Sequence, residues 1–209
     1  MPTPKAGYRD AGGNRLPGVT TILGAHKDAG GLVHAAWKLG SQGLNYRNEW
    51  DKAAKIGTCL HARIEAFITK TDFDEMEHTG GAVTHSQLAY ESFLRWAEGR
   101  TFTGDCEVPL IHPRGFGGTI DYLEPGLILD WKSNKALYPE VYAQVGGYAL
   151  LIEVHFGQLP DCKVIRFDKE GRDAEVLDLP AQSPKAIAGR KLFLGLLDAY
   201  EAKREIERK

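Results

Sequence analysis

The stretch that most constrains the fold is residues 117–132, GGTIDYLEPGLILDWK. Two strand-like runs, Thr119 to Glu124 and Leu127 to Lys132, flank the dipeptide Pro125-Gly126. Proline presets φ at the second position of a turn and glycine accepts positive φ at the third, so this dipeptide marks a hairpin. With a two-residue loop, Glu124 faces Leu127, and counting back sets Asp121 opposite Asp130. Directly opposed residues hold their Cβ atoms roughly 4.5–5.5 Å apart. Lys132 lies two residues past Asp130 and shares its face. Leu123 and Ile128 fall on that charged face, while Ile120, Tyr122, Leu127, Leu129 and Trp131 fall on the other. Strands apolar on both faces are buried on both. Two buried carboxylates repel each other and desolvate badly without compensation. A divalent cation would compensate them, and so would a structural ion pair with Lys132. The hairpin by itself leaves both readings open.

Around the hairpin, periodicity places the remaining elements. Residues 1–18 read as an irregular arm or short hairpin, followed by the apolar run Val19 to Leu23, for which Thr20 or Thr21 could serve as cap. Residues 32–50 are expected to be helical, with Val33, Trp37 and Leu44 as apolar candidates. Residues 51–70 give a clearer helix, because Ile56, Leu60, Ile64, Phe67 and Ile68 recur at helical spacing. His61 and Glu65 sit four apart beside that stripe. A polar loop follows, and then a helix over 83–98 with Leu88, Phe93, Leu94 and Trp96 on its apolar side. Cys106 to Ile111 reads as a strand whose one acidic residue is Glu107, and Phe116 begins the strand that carries Asp121. Gly115, Gly117 and Gly118 invite a close approach to its backbone.

Pro139 and Gly157 bracket a helix over 139–156, the expected asymmetry of its two ends. Val141, Val145, Ala149 and Ile152 form its core stripe, and Gly146-Gly147 suggests close packing on the sheet. Gln144 and Tyr148 share a neighbouring face, where surface placement is the default. Lys163 to Asp168 and Glu175 to Leu179 read as a second hairpin around Glu170-Gly171. A last helix starts near Ser183-Pro184, with Ile187, Leu192, Leu196, Leu197 and Tyr200 as its buried face and a charged end, Lys203 to Lys209. The order is helices, three strands, a helix, two strands and a helix. That order predicts an α/β fold, a mixed central sheet flanked by helices. Its 209 residues, 43% hydrophobic and 26% charged, suit one domain. Within it, 1–50 would form an N-terminal arm and helical cover and 51–209 the core.

The net charge of −2 advertises no global basic field, so any nucleic-acid surface must be local. There is no run of ~18 apolar residues and no charged-then-apolar leader, so neither a membrane span nor a secretory signal is expected. Cys59, Cys106 and Cys162 are dispersed and include no C-x-x-C pair, which argues against a zinc knuckle and for a reducing, cytoplasmic setting.

Asp121 and Asp130 supply hard oxygen ligands, and His61 could add a nitrogen. Such a set suits Mg²⁺ or Mn²⁺. Lys132 could orient a water or offset charge on a phosphorane, giving hydrolysis of a phosphodiester. Asp121 followed by Asp130-Trp131-Lys132 resembles the D…(D/E)-x-K signature of the PD-(D/E)XK nuclease superfamily. Gly57-Thr58-Cys59-Leu60-His61 with Glu65 is similar to the G-T-x-x-H…E motif of the RecB-type branch. Gly118-Thr119-Ile120-Asp121 resembles its G-x-x-D, Asp130-Trp131-Lys132-Ser133 its D-x-K-[TS], and Gln144 with Tyr148 its Q-x-x-x-Y. Leu16 to Leu23, LPGVTTIL, is similar to the segment that precedes these motifs in phage and mitochondrial genome maintenance exonucleases. The set in this order, spanning about residues 16–150, carries the resemblance rather than D-x-K alone.

The resemblance implies a restriction-endonuclease-like core and a metal-dependent DNA exonuclease of recombination, repair or genome processing in a bacterial or phage-infected cell. His61, Asp121, Asp130 and the Trp131 carbonyl would be metal ligands, and Lys132 the catalytic lysine. Glu65 would support the metal or its water, and Gln144 and Tyr148 would contact DNA or brace the site. The four-cysteine iron–sulfur cluster of some relatives cannot form here. The chain also lacks helicase motifs, so any motor, or a recombination partner, would be a separate protein. DNA with a single strand or a free end is the implied substrate. A cover built from residues 16–50 would thread a strand, with Arg47 and Lys52 on phosphates and Trp37 or Tyr46 stacked on bases; the alternative is that those aromatics are core. Two rivals stand beside this reading within the same fold: a catalytically silent DNA- or protein-binding module and a structure-specific endonuclease. A small-molecule phosphatase would leave Gln144 and Tyr148 unexplained.

Overall fold

A computed structural model describes residues 7–26 and 29–207; the first six residues of the arm and the last two of the charged tail lie outside them. A five-stranded mixed sheet forms the centre, in the order β3 (Asp105–His112), β4 (Phe116–Glu124), β5 (Leu127–Lys132), β6 (Asp161–Arg166) and β7 (Glu175–Leu179). Only β5 and β6 run parallel; the other neighbours are antiparallel. A parallel pair needs a crossover, and α5 (Glu140–Phe156) supplies it. The predicted mixed α/β architecture and element order are those observed. A two-stranded hairpin, β1 (Tyr8–Arg9) and β2 (Arg15–Leu16), precedes the sheet.

Helices cover both faces. On one, α1 (Val19–Gly24), α5 and α6 (Pro184–Glu207) bury Ile22, Leu151, Phe193 and Leu197 against Phe116, Ile120, Ile128 and Val164. On the other, α3 (Tyr46–Thr69) and α4 (Ala82–Ala97) bury Leu60, Ile64, Ala89 and Phe93 against Tyr122, Leu129, Trp131, Ile165 and Phe167. Phe93 stands edge-on to Phe167 at 5.4 Å and to Trp131 at 6.3 Å, the offset geometry that aromatic quadrupoles favour.

Register on the central hairpin follows the turn: Glu124 pairs with Leu127, Leu123 with Ile128 and Tyr122 with Leu129. The pairing then stops one step short of Asp121 and Asp130. There the Trp131 N–H donates to Asp121 Oδ2 at 2.7 Å rather than to a strand carbonyl. On the other side of β4, Cys106 pairs with Tyr122 and Val108 with Ile120, but Glu107 drops out of the ladder with φ +52. The strand therefore turns its faces over at Asp121. Ile120 packs with the α5 side and Tyr122 with the α3 side, which corrects the expectation that they share a face.

Other departures have local causes. Residues 32–50 are not one helix. Helix α2 (Ala29–Ser41) ends before Gly43, which holds φ +73, and α3 restarts at Tyr46 with Asn45 Oδ1 accepting the Arg47 and Asn48 N–H groups. Val33 and Trp37 are both 66% exposed and Leu44 is exposed too, so they are not core. Helix α3 crosses position 50 without a break. Gly18, not a threonine, caps α1, and Thr20 and Thr21 lie within that helix. On α4, Leu88 and Leu94 face outward because Ala89, Ser86 and Ala97 let α3 come close. Phe67 and Leu192 are likewise exposed, and Phe193 takes the core position on α6. The Gly146-Gly147 pair admits α6 rather than the sheet: a Cβ on Gly146 would lie 2.6 Å from the Gly189 backbone.

Candidate metal centre

Four elements converge where β4 turns over. Helix α3 brings His61 and Glu65, β3 brings Glu107, β4 brings Asp121, and β5 brings Asp130, Trp131 and Lys132. The Trp131 peptide ties two of them together. Its N–H goes to Asp121 Oδ2, and its carbonyl accepts from His61 Nε2 at 3.1 Å. A carbonyl cannot donate, so Nε2 carries the proton and, in the neutral ring, Nδ1 presents a lone pair. That lone pair faces Asp121 Oδ1 at 3.6 Å and Glu107 Oε1 at 3.9 Å. One ligand atom from each of His61, Glu107 and Asp121 lies within 4.8 Å of the others. Three acceptors facing one another in a buried space repel unless a cation or proton lies between them.

Hydrogen bonding points the same way. Among the described residues, His61 Nδ1, Glu107 Oε2, Asp121 Oδ1 and both Asp130 carboxylate oxygens are buried without a hydrogen-bond partner. Buried polar atoms are overwhelmingly paired, so five orphans in one spot require an explanation. Lys132 Nζ sits 2.5 Å from Asp130 Oδ2, a close ion pair that is not aligned as a hydrogen bond. Asp121 and Asp130 are 2% and 1% exposed. The Asp130 carboxyl is raised to about 6, by burial first, with Lys132 pulling it down and the Asp121 charge pushing it up. Glu65 is also raised, by burial first and then by the Glu107 charge. Burial alone would lower His61, but Asp121 and Glu107 beside it more than offset that and raise it.

The structure gathers most of the sequence-predicted residues. His61 and Asp121 belong to the converging set, and Asp130 with Lys132 forms the adjoining ion pair. Trp131 offers its carbonyl to His61. Gln144 and Tyr148 are not surface residues: they are 8% and 1% exposed, and Gln144 Nε2 donates to the Tyr148 hydroxyl at 3.1 Å. Burial raises the Tyr148 phenol well above its usual value, and the Asp130 and Asp121 charges raise it further, which places α5 against the same cluster. Gly118 makes that approach feasible, since a Cβ there would lie 2.7 Å from Leu151 and 2.9 Å from Tyr148. Gly117 is filled from the other side by Tyr8, whose hydroxyl bonds Thr119 Oγ1 at 2.8 Å.

Sequence reasoning did not count Glu107 among the site residues. Its signal was that it is the one acidic side chain in the run Cys106 to Ile111. Its left-handed backbone, rare for a residue with a Cβ, costs on the order of 1–3 kcal/mol and persists where surrounding structure enforces it. His61, Glu107 and Asp121 are placed to hold a metal ion.

No family model matches the sequence, and no curated protein matches it. Among solved structures, the chain is similar to a crystal structure, at 2.19 Å, of a protein described as a putative exonuclease from Eubacterium rectale. The two share 12% identity over 73% of this chain and 65% of that one, with a TM-score of 0.53. The likeness is one of fold, and the chain spans 65% of that protein's length.

Proposed function

We propose that this chain is a divalent-metal-dependent deoxyribonuclease of the PD-(D/E)XK type that hydrolyses phosphodiester bonds from DNA ends. The observation that carries the reading is the convergence of buried, unpartnered ligand atoms from His61, Glu107 and Asp121 beside the Asp130–Lys132 pair. The motifs in family order and the likeness in fold to a protein described as an exonuclease support it.

The donor set, one imidazole nitrogen with carboxylate oxygens, fits Mg²⁺ or Mn²⁺. Bound there, such an ion would polarise a phosphate oxygen and acidify a water. The chain's own groups do the rest. His61 offers Nδ1 because the Trp131 carbonyl holds its other nitrogen. Asp121 offers Oδ1 because the Trp131 N–H holds its Oδ2. Asp130 holds the Lys132 ammonium at the site, where it positions the attacking water or offsets charge on the phosphorane. Glu65, with its raised pKa, is suited to exchange a proton with that water. Gln144 and Tyr148 brace the aspartates from behind.

Preference for ends rests on α2 and the start of α3. Trp37, Arg47 and Lys52 are exposed there, which suits base stacking and phosphate contact along one strand. The test is digestion of linear DNA and of covalently closed single-stranded circles with Mg²⁺, Mn²⁺ or EDTA, beside a calorimetric metal titration. Cleavage of linear DNA that needs the metal, with circles spared, is the expected outcome. Equal rates on circles would remove the requirement for an end, and cleavage in EDTA would remove the metal.

A further inference from the structure

A cavity of about 190 Å³ opens beside Lys132 and Gln144, between α1, the 133–139 loop and the start of α5. It is smaller than the roughly 300–1,000 Å³ of sites that enclose drug-sized ligands, so it suits one flat ring system rather than a stretch of chain. Leu23 and Val141 supply apolar walls, and Tyr138 stands at the mouth, 52% exposed. The polar lining includes Asn134 and Glu140. A phosphate is a poor occupant, because the one lysine in the lining is already paired with Asp130 and Glu140 adds a negative charge. A nucleobase matches on every count: an apolar face, an aromatic to stack on, and an amide and a carboxylate for its edge. The loop that presents Asn134 is propped from β6, where Arg166 Nη1 donates to the Asn134 carbonyl at 3.5 Å.

We infer that this cavity holds the nucleobase adjoining the bond that is cut, stacked on Tyr138, with Asn134 and Glu140 contacting its edge. This deepens the nuclease reading and rests on it. Asparagine pairs with adenine and a carboxylate accepts from the cytosine amino group, so an amino-bearing adenine or cytosine is favoured over thymine.

The test compares the parent protein, Tyr138→Ala and Tyr138→Phe on oligonucleotides that are intact or abasic at the terminal residues of either end. Turnover is read in Mn²⁺, and equilibrium binding by anisotropy in EDTA. Removing the base should lower the parent's kcat/KM on the order of 10-fold, in line with one base–aromatic stack. Tyr138→Ala should lose a similar factor on intact DNA and become indifferent to the missing base, because the two changes remove the same contact. Tyr138→Phe should behave as the parent. A parent that does not distinguish intact from abasic DNA, or a Tyr138→Ala variant that still does, overturns the pocket while leaving metal-dependent cleavage standing. If the parent cuts no DNA, the nuclease reading fails, and the binding arm decides the pocket alone: a Tyr138-dependent loss on abasic DNA sustains it, and its absence overturns it.

Discussion

Two groups of buried carboxylates lie at neighbouring strands of one sheet, and they are solvated by the protein in opposite ways. Asp168, just after β6, is 2% exposed and fully engaged: it accepts from the Glu170 N–H at 2.7 Å, from Arg166 Nη1 at 3.0 Å and from Arg172 Nε at 3.1 Å. Burial alone would raise it, yet these donors bring its carboxyl down to about 2. Asp130, equally buried on β5, has among the described residues one ammonium beside it and no aligned donor, and is pushed up to about 6. Asp121 gives one oxygen to a backbone N–H and leaves the other bare. A structural carboxylate is one whose lone pairs the fold has filled. At the candidate site the fold leaves them open and holds them in place, which is the arrangement a ligand can exploit.

The largest effect that could break this contrast is on turnover. With Lys132 in a catalytic role, Lys132→Ala should lower kcat on the order of 10²-fold or more, with thermal stability retained. If Lys132 merely mirrors the Arg166 role at Asp168, the outcome reverses: Tm falls and activity per folded molecule is unchanged. Measuring both on one preparation separates the two.

Next comes a matched pair of substitutions. Asp168→Ala takes away the acceptor of the Glu170 N–H and of Arg172 Nε and one of the acceptors of Arg166, and should cost about 3 kcal/mol, seen as a fall in Tm of about 6–12 °C for a chain of this size. Glu107→Gln removes a repelling charge, and among the described residues Glu107 Oε2 has no hydrogen bond to lose. Its Tm in EDTA should equal or exceed the parent's while metal-dependent cleavage collapses. A Tm loss at Glu107 as large as at Asp168 would erase the distinction.

His61 gives a smaller and more specific signal. His61→Ala should raise the metal concentration for half-maximal rate on the order of 10-fold or more, since one ligand of the set is lost. An unchanged titration would make His61 a brace for the Trp131 carbonyl only.

The smallest effects are in acid, and they run in opposite directions. Asp168 has a folded pKa near 2, below its ordinary 3.8, so the unfolded chain binds more protons between these values. Its contribution is present above about pH 4 and lost as pH falls toward 2. Asp130 has a folded pKa near 6, above 3.8, so the folded chain binds more protons in that interval. Its ionisation therefore costs stability as pH rises from about 4 to 6 in metal-free protein. Difference curves of Tm against pH for Asp168→Asn and Asp130→Asn should slope oppositely, and parallel curves would contradict the assignment.

Much of this was legible in the sequence because it is local. The Pro125-Gly126 turn set the β4–β5 register, and period-3.6 spacing found Ile56, Leu60 and Ile64. Helix faces were misjudged where size misled. Leu88 and Leu94 look like core, yet close packing of α3 on α4 selects Ala89 and Ser86. Trp37 is large and apolar, but nothing in the sequence says whether α2 has a neighbour to cover it. Glu107 was missed because its place depends on a β3–β4 register set by a longer loop, and on a backbone kink that breaks alternation. Counting back from His112 opposite Phe116 would have put it beside Asp121.

The parallel pairing of β5 with β6 has a consequence for how the molecule comes into being. The β3–β4 ribbon is a hairpin and can zip locally, whereas β6 must return across the whole 133–160 connection before the Phe167 N–H reaches the Lys132 carbonyl at 2.8 Å. Closing that long a loop precedes any reward from the contact, so this step is intrinsically slow. The strand end bearing Lys132 is thus anchored late, and a half-made chain carries its acidic residues without a fixed lysine beside them. In refolding followed by pulsed hydrogen exchange, the Phe167 amide should become protected after those of β3 and β4. Simultaneous protection would mean that crossover and hairpin form as one unit.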